Sequence, residues 1–397
     1  MSDDLFDVVV IGGGPAGATA ADDLAQQGWR VMLLDRQGRT KPCGGAIPPR
    51  LIRDFDIPDA LLVAKVRCAR MISPANNQVD IPIENGFVGM VDRDTFDEWL
   101  RERAASHGAI RQRGRFDCLT RDAQGVLQVQ FETHDANDRL QRHQVRTRLV
   151  IGADGAKSEV ARQSIRDADK TRYVFAYHEI LQAPQNQAGY DPERCDVYYQ
   201  GHLSPDFYGW VFPHGNTLSV GTGSADKGFS LRTGVSHLRH AAGLSDAPVV
   251  RREGAPIPLK PLPHWDNQRD VILAGDAAGV VAPSSGEGIY YAMACARMVA
   301  DAVHRCLHEN NPAHLARARK QFMREHGRVF WVLGIMQYFW YQNDRRRERF
   351  VRMCEDKDVQ QLTFDAYMNK RLVRQKPMAH VKIFFKDMAH LFGFARV

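Results

Sequence analysis

Apolar and polar positions along this 397-residue chain change period several times, and each change marks an element. A short apolar run ending at Ile11 meets a glycine-rich turn. Ala18 to Gln27 then reads as helix, and a second apolar run, Val31 to Leu34, ends in Asp35. A strand, a helix and a second strand follow from that order. Residues 114–150 read as a meander through Phe131 and His134, broken by the turn-like Asp122–Gly125 and Asp135–Asp138. From Tyr173 to Pro261 the texture becomes β-branched and aromatic, in Tyr173–Leu181, Asp196–Tyr199, Tyr208–Phe212 and Leu218–Gly223, with Gly, Pro and Asn turns between. That pattern predicts an antiparallel sheet. Tyr208, Trp210 and Phe212 alternate and so share one face, and Pro213 is expected to end their strand. Ile289 to His308 is Ala-rich and helical, stops at Asn310-Asn-Pro312, and gives way to a mainly helical remainder from 313 to 397.

The turn after the first run is Gly12-Gly-Gly14-Pro-Ala16-Gly17, and Asp35 follows Gly17 by 18 residues. Gly12 suits a tight turn, Gly14 a close approach to a pyrophosphate, and Gly17 close packing of the helix on the strand. The helix N-terminus offers free N–H groups to phosphates, and Asp35 suits a ribose. These residues alone leave a plain NAD-binding unit open. Two further segments weigh against it: Leu149-Val-Ile-Gly-Ala-Asp154-Gly155 through Arg162, and Val271-Ile-Leu-Ala-Gly275-Asp276 running on to Gly286-Glu-Gly288. In order and spacing the three segments resemble the FAD-dependent hydroxylase and reductase superfamily. The resemblance implies Asp154 near the pyrophosphate, Asp276 on the ribityl chain, and the turn through Gly286 and Gly288 against the flavin ring. It also implies an Arg93 that reaches the cofactor. Ala16, Arg36, Cys43, Gly44, Gly155, Gly275 and Ile289 complete the FAD contacts expected.

The expected fold is α/β. A Rossmann-type FAD-binding domain of the hydroxylase-like superfamily would take 1–70, 90–172 and 262–310. An antiparallel-sheet substrate domain in 71–89 and 173–261 would be interleaved with it, followed by a helical C-terminal region, 311–397.

Composition changes this picture little. The chain is 44% hydrophobic with a formal charge of +6, enough apolar content for a large core. Much of the basic excess lies between Lys370 and Val397. A basic tail suits an anionic surface, while the absence of aromatic nucleic-acid platforms argues against nucleic acid as a partner. Seven cysteines without a C-x-x-C pair fit a reducing cytosol and no disulfide framework. No metal-ligand spacing is visible, so no metal is expected. The first strand begins almost at once, so no secretory leader is expected, and no apolar run reaches the ~20 residues of a membrane span.

Two more motifs separate a reductase from a hydroxylase. Pro42-Cys43-Gly44-Gly45 follows the second strand, and Tyr208-Gly-Trp210-Val-Phe212-Pro213 precedes Gly221-Thr-Gly223. Both resemble the geranylgeranyl reductase family. The aromatic stretch Val329–Tyr341 resembles the branch that acts on chlorophylls and bacteriochlorophylls. The resemblance implies stepwise saturation of three C=C bonds of a geranylgeranyl chain to phytyl, on a (bacterio)chlorophyll or on the free diphosphate, with NADPH as electron donor. It assigns the substrate to Tyr208, Trp210, Phe212, Pro213, Gly221 and Gly223, and makes Cys43 the candidate catalytic group. Read without it, Cys43 is more simply a small buried filler. The alternatives are a flavin hydroxylase that consumes oxygen and a non-catalytic flavoprotein that carries pigment. Val329–Tyr341 is either a buried helix or the wall and mouth of an isoprenoid site. With Arg345-Arg-Arg347 and Arg349 beside it, it suggests an interfacial helix. Peripheral attachment to an inner or photosynthetic membrane, near pigment-biosynthesis enzymes such as the pigment synthase, is the matching expectation.

Overall fold

The computed structural model describes residues 5–36, 41–84, 86–185 and 189–361. The basic segment from Lys370 onward therefore lies outside the described residues.

Val8, Val9 and Val10 are wholly buried because Leu5–Ile11 is a central strand. It pairs in parallel with Val31–Asp35 on one side and Leu140–Gly152 on the other. The parallel core continues outward to Ile110–Arg113 and Val271–Leu273. A meander of Arg115–Arg121, Leu127–His134 and Leu140–Gly152 extends this sheet antiparallel, with its turns at 122–125 and 135–138. Helix Pro15–Gln26 packs against helices Arg93–Ser106 and Ile289–Glu309. The largest apolar core gathers around this sheet and these helices.

The second sheet has the order Val249–Pro258, Tyr173–Gln182, Thr217–Ser224, Gly209–His214, Arg194–Tyr198, Cys68–Ile72, Gln78–Pro82. Two features differ from expectation. The sheet is mixed, because Arg194–Tyr198 runs parallel to Cys68–Ile72. Pro213 also lies inside its strand, paired with Leu218. The strand's other edge is paired only as far as Val211, so the missing N–H of Pro213 breaks no ladder bond.

Alternation gives this sheet two distinct faces. Tyr198, Val211, Leu218 and Val220 pack one face against helix Leu231–Ala241. Met71, Tyr199 and Ile81 on the other face meet Trp340, Tyr341 and Phe350. Those three belong to the C-terminal helices and their junction, Ala316–Trp340 and Asp344–Met353. Among the described residues no helix is long and apolar enough to cross a membrane.

Candidate functional site

A continuous cavity of about 1650 Å³ runs from the glycine-rich turn of the first sheet to the aromatic face of the second. Small-molecule sites usually measure ~300–1,000 Å³, so this one has room for more than a single small ligand.

One end is built for a dinucleotide. Gly12 has φ +103°, and a side chain there would strike the Ala153 carbonyl. Gly14 sits at the N-terminus of helix Pro15–Gln26, and a Cβ added to it meets nothing within 4 Å. That open space, in front of unbonded helix N–H groups, is the cradle a pyrophosphate requires. Asp35 stands nearby, with Arg101 3.3 Å away; Arg101 also donates to the Gly13 carbonyl at 3.1 Å. Burial raises the Asp35 pKa above the usual carboxylate range, against the pull of the Gly13 N–H and Arg101. Asp276 is ion-paired with Lys41. Asp154 lies on the wall, but its carboxylate is spent on protein. It accepts from Ser158 Oγ at 2.5 Å and from the Glu159 and Val160 N–H groups at 2.7 and 3.1 Å, so it shapes the turn into helix Glu159–Ser164.

The middle of the cavity brings the Cys43 loop to Arg93. Arg93 is buried and makes two 2.7 Å bonds to Asp97 one turn on. Burial alone would lower its pKa, but Asp97 and then the neighbouring Cys43 raise it. The Cys43 Sγ accepts from the Gly45 N–H at 3.4 Å. Opposite lies the turn Ser284–Gly286, held from the far side by two phenols. Tyr208 donates to the Ser285 carbonyl at 2.5 Å and Tyr341 to the Ser284 carbonyl at 3.1 Å. Burial pushes both phenols well above their ordinary pKa, so they remain donors.

The other end is apolar. Tyr208, Trp210 and Phe212 form a ladder of rings with centroids 5.9 and 6.3 Å apart. Beneath Trp210, Ser219 Oγ accepts the indole N–H at 3.0 Å and meets His178 Nδ1 at 2.9 Å, while His178 Nε2 lies 3.1 Å from Glu253. The His178 hydrogen bond lowers the Glu253 pKa. At the rim, Trp331 and Ile335 line the cavity and are 69% and 46% exposed.

Every expected cofactor residue except Gly17 and Gly275 lines this cavity. Those two act behind the wall, where a Cβ would meet Gly12 or Ala16. Of the expected substrate residues, Tyr208, Trp210 and Phe212 line it, but Pro213, Gly221 and Gly223 do not. A Cβ on Gly221 would collide with the Trp210 ring, and one on Gly223 with Phe207, so these glycines make room for rings. Arg347 also departs from expectation. It is 2% exposed and bonds to Asp344 and to the carbonyls of Pro205 and Tyr341, so it is no part of a surface cationic cluster. Sequence reasoning missed Lys41, Arg101, Asp97 and the His178–Glu253 pair. Of these, Asp97, four residues after Arg93, and Arg101, three after Glu98, carried a local helix-spacing signal.

The comparisons with known proteins agree with this geometry. A family model described as an FAD binding domain matches residues 6–321. The chain is 57% identical over 388 residues to a geranylgeranyl diphosphate reductase of Rhodobacter capsulatus, covering 98% of each. It is 36% identical over 400 residues to one of Synechocystis, covering 97% of each. A solved geranylgeranyl bacteriochlorophyll reductase-like protein of Thermoplasma acidophilum shares the fold. Its TM-score is 0.79 at 21% identity, over 94% of this chain and 99% of that one. The chain belongs to the FAD-dependent geranylgeranyl reductase family.

Proposed function

We propose that this protein hydrogenates three C=C bonds of a geranylgeranyl chain to give phytyl, on a (bacterio)chlorophyll ester or the free diphosphate, with NADPH as electron donor. The observation that carries the reading is the continuity of the cavity, which joins a dinucleotide cradle to an apolar trough lined by aromatic rings. In this reading 1–67, 90–172 and 262–310 hold the cofactor, while 68–89 and 173–261 hold the chain; the expected boundary at 70 moves because Cys68–Ile72 is a strand of the second sheet.

FAD, when bound, supplies hydride chemistry. The protein's own residues do the rest. Gly14 and the helix behind it would seat the pyrophosphate, Asp35, restrained by Arg101, would meet the ribose, and Asp276 would offer its carboxylate to the ribityl hydroxyls. The Ser284–Gly286 turn, fixed by Tyr208 and Tyr341, would lie against the flavin ring. Trp210 and Phe212 orient the chain and exclude water, which protects cationic character on an isolated alkene during protonation. The second hydrogen is a proton, and Cys43 is the candidate donor. Trp331 and Ile335 at the rim suit attachment at a membrane surface, close to the enzymes that make the pigment.

The test is anaerobic. Purified protein, NADPH and geranylgeranylated pigment should yield hydrogenated products by mass. Oxygen consumption coupled to substrate would support a hydroxylase instead. Flavin reduced by dithionite that substrate cannot reoxidise would leave only a carrier.

A further inference from the structure

The cavity-facing side chains of the second sheet form two apolar rows that each cross three strands and together span four. Cys195, Ala69 and Ile81 are register partners in one row, and Trp210, Val197 and Met71 in the other. All six line the cavity. The rows begin at the strand of Trp210 and Phe212, close to the Cys43 loop: a Cβ on Gly44 would lie 3.2 Å from the Phe212 ring. They end at Gln78–Pro82, under Trp340 and Phe350. Neighbouring strands lie ~4.8 Å apart, so the three spacings span roughly 14 Å. With C–C bonds of about 1.5 Å, one extended isoprene unit covers about 5 Å. The rows are therefore about three isoprene units long.

We propose that these rows are a ruler that sets which alkenes reach the flavin, and that Ala69 is a specificity-determining residue. This rests on the reading above. The chain lies across the strands with its free end toward Ile81 and its head group left at the rim. Its bonds are then reduced at different depths of insertion. The bond nearest the free end needs little of the trough, because almost no chain lies beyond it. The bond third from that end needs the full length, because its own isoprene unit sits at the reacting position and the two outer units lie beyond it. The bond next to the head group stays outside. Ala69 is the smallest side chain in the rows and is only half buried, so it leaves open the middle of the path. Each saturation breaks one C=C π bond and forms two C–H bonds, using one hydride drawn through FAD from NADPH and one proton.

The test uses full-length FAD-loaded protein, excess NADPH and a geranylgeranylated pigment without oxygen, with products read by mass and fragmentation. The parent should add six hydrogens. Ala69→Phe blocks the middle of the trough and should accumulate product with two added hydrogens, placed at the free end. Ile81→Trp blocks only the far end and should accumulate product with four. Flavin absorbance and melting temperature confirm that each variant is folded and loaded. If both loaded variants give the parent's fully reduced product, or slow all bonds equally, the ruler is wrong. If the parent itself hydrogenates nothing, the failure belongs to the proposed function.

Discussion

At the scale of single residues, two glycines of one turn do different work. Gly12 adopts a left-handed φ of +103° against the Ala153 carbonyl, whereas Gly14 faces open space. Gly12→Ala should therefore destabilise the first sheet by ~1–3 kcal/mol. Gly14→Val should fold normally and lose FAD. Melting temperature and flavin absorbance, measured together, separate the two effects. A Gly14→Val protein that keeps its flavin would remove the pyrophosphate from that cradle. Cys43 is the second residue to test. If it donates a proton, Cys43→Ala and Cys43→Ser should both hold FAD, and single-turnover reoxidation of the reduced protein by substrate should slow well above tenfold. General acid–base groups typically contribute ~10²–10⁴-fold. Reoxidation of Cys43→Ala at the parent rate, with full FAD occupancy, would make the thiol a filler and water the proton source.

At the scale of elements, helix Ala316–Trp340 shows two faces. Val329 and Phe330 are buried, while Trp331, Ile335 and Tyr338 are exposed at helical spacing, with Tyr338 at 77%. With Arg347 buried, any attachment at an anionic membrane would rest more on these apolar side chains than on nearby arginines. Vesicle binding by the parent should therefore weaken at high salt but persist. Trp331→Asp with Ile335→Asp should abolish it without loss of FAD, as co-sedimentation would show. Equal pelleting of parent and double variant would end the idea. Val329–Tyr341 is buried along one stripe and open along another, because apolar sequence alone does not say which stripe of a helix is covered. The cofactor segments were legible because their signals are local: glycine spacing, one strand, one helix start. The strands of the second sheet were legible from alternation. The parallel pairing of Arg194–Tyr198 with Cys68–Ile72 was not, since it joins segments more than a hundred residues apart. Nor were the pairings of Lys41 with Asp276 and of Arg101 with Asp35, which only folding brings together.

At the scale of the molecule, the cofactor cradle and the chain trough rest on different parts of the core. The cradle belongs to the large core of the first sheet, and the trough is roofed by the C-terminal helices. A few polar latches join the roof to the rest. Arg347 ties the junction of the two C-terminal helices to the Pro205 carbonyl, and Asp344 accepts from the Gly201 N–H at 2.8 Å. Tyr341 reaches the Ser284 carbonyl. Arg347→Met keeps most of the volume but leaves two carbonyls, that of Tyr341 buried and that of Pro205 partly so, without their charged donor. That loss should cost about 2–3 kcal/mol. Because the latch lies far from the first sheet, the cost should appear as local opening of the roof. Hydrogen exchange should accelerate in peptides covering 341–354 and 200–208, while those covering 5–26 keep the parent's protection and FAD stays bound. The trough would then hold the chain less firmly, raising KM for the prenyl substrate more than it lowers the rate of flavin reduction. Uniform acceleration across the chain, or release of FAD in step with the roof, would show instead that cradle and trough unfold as one unit.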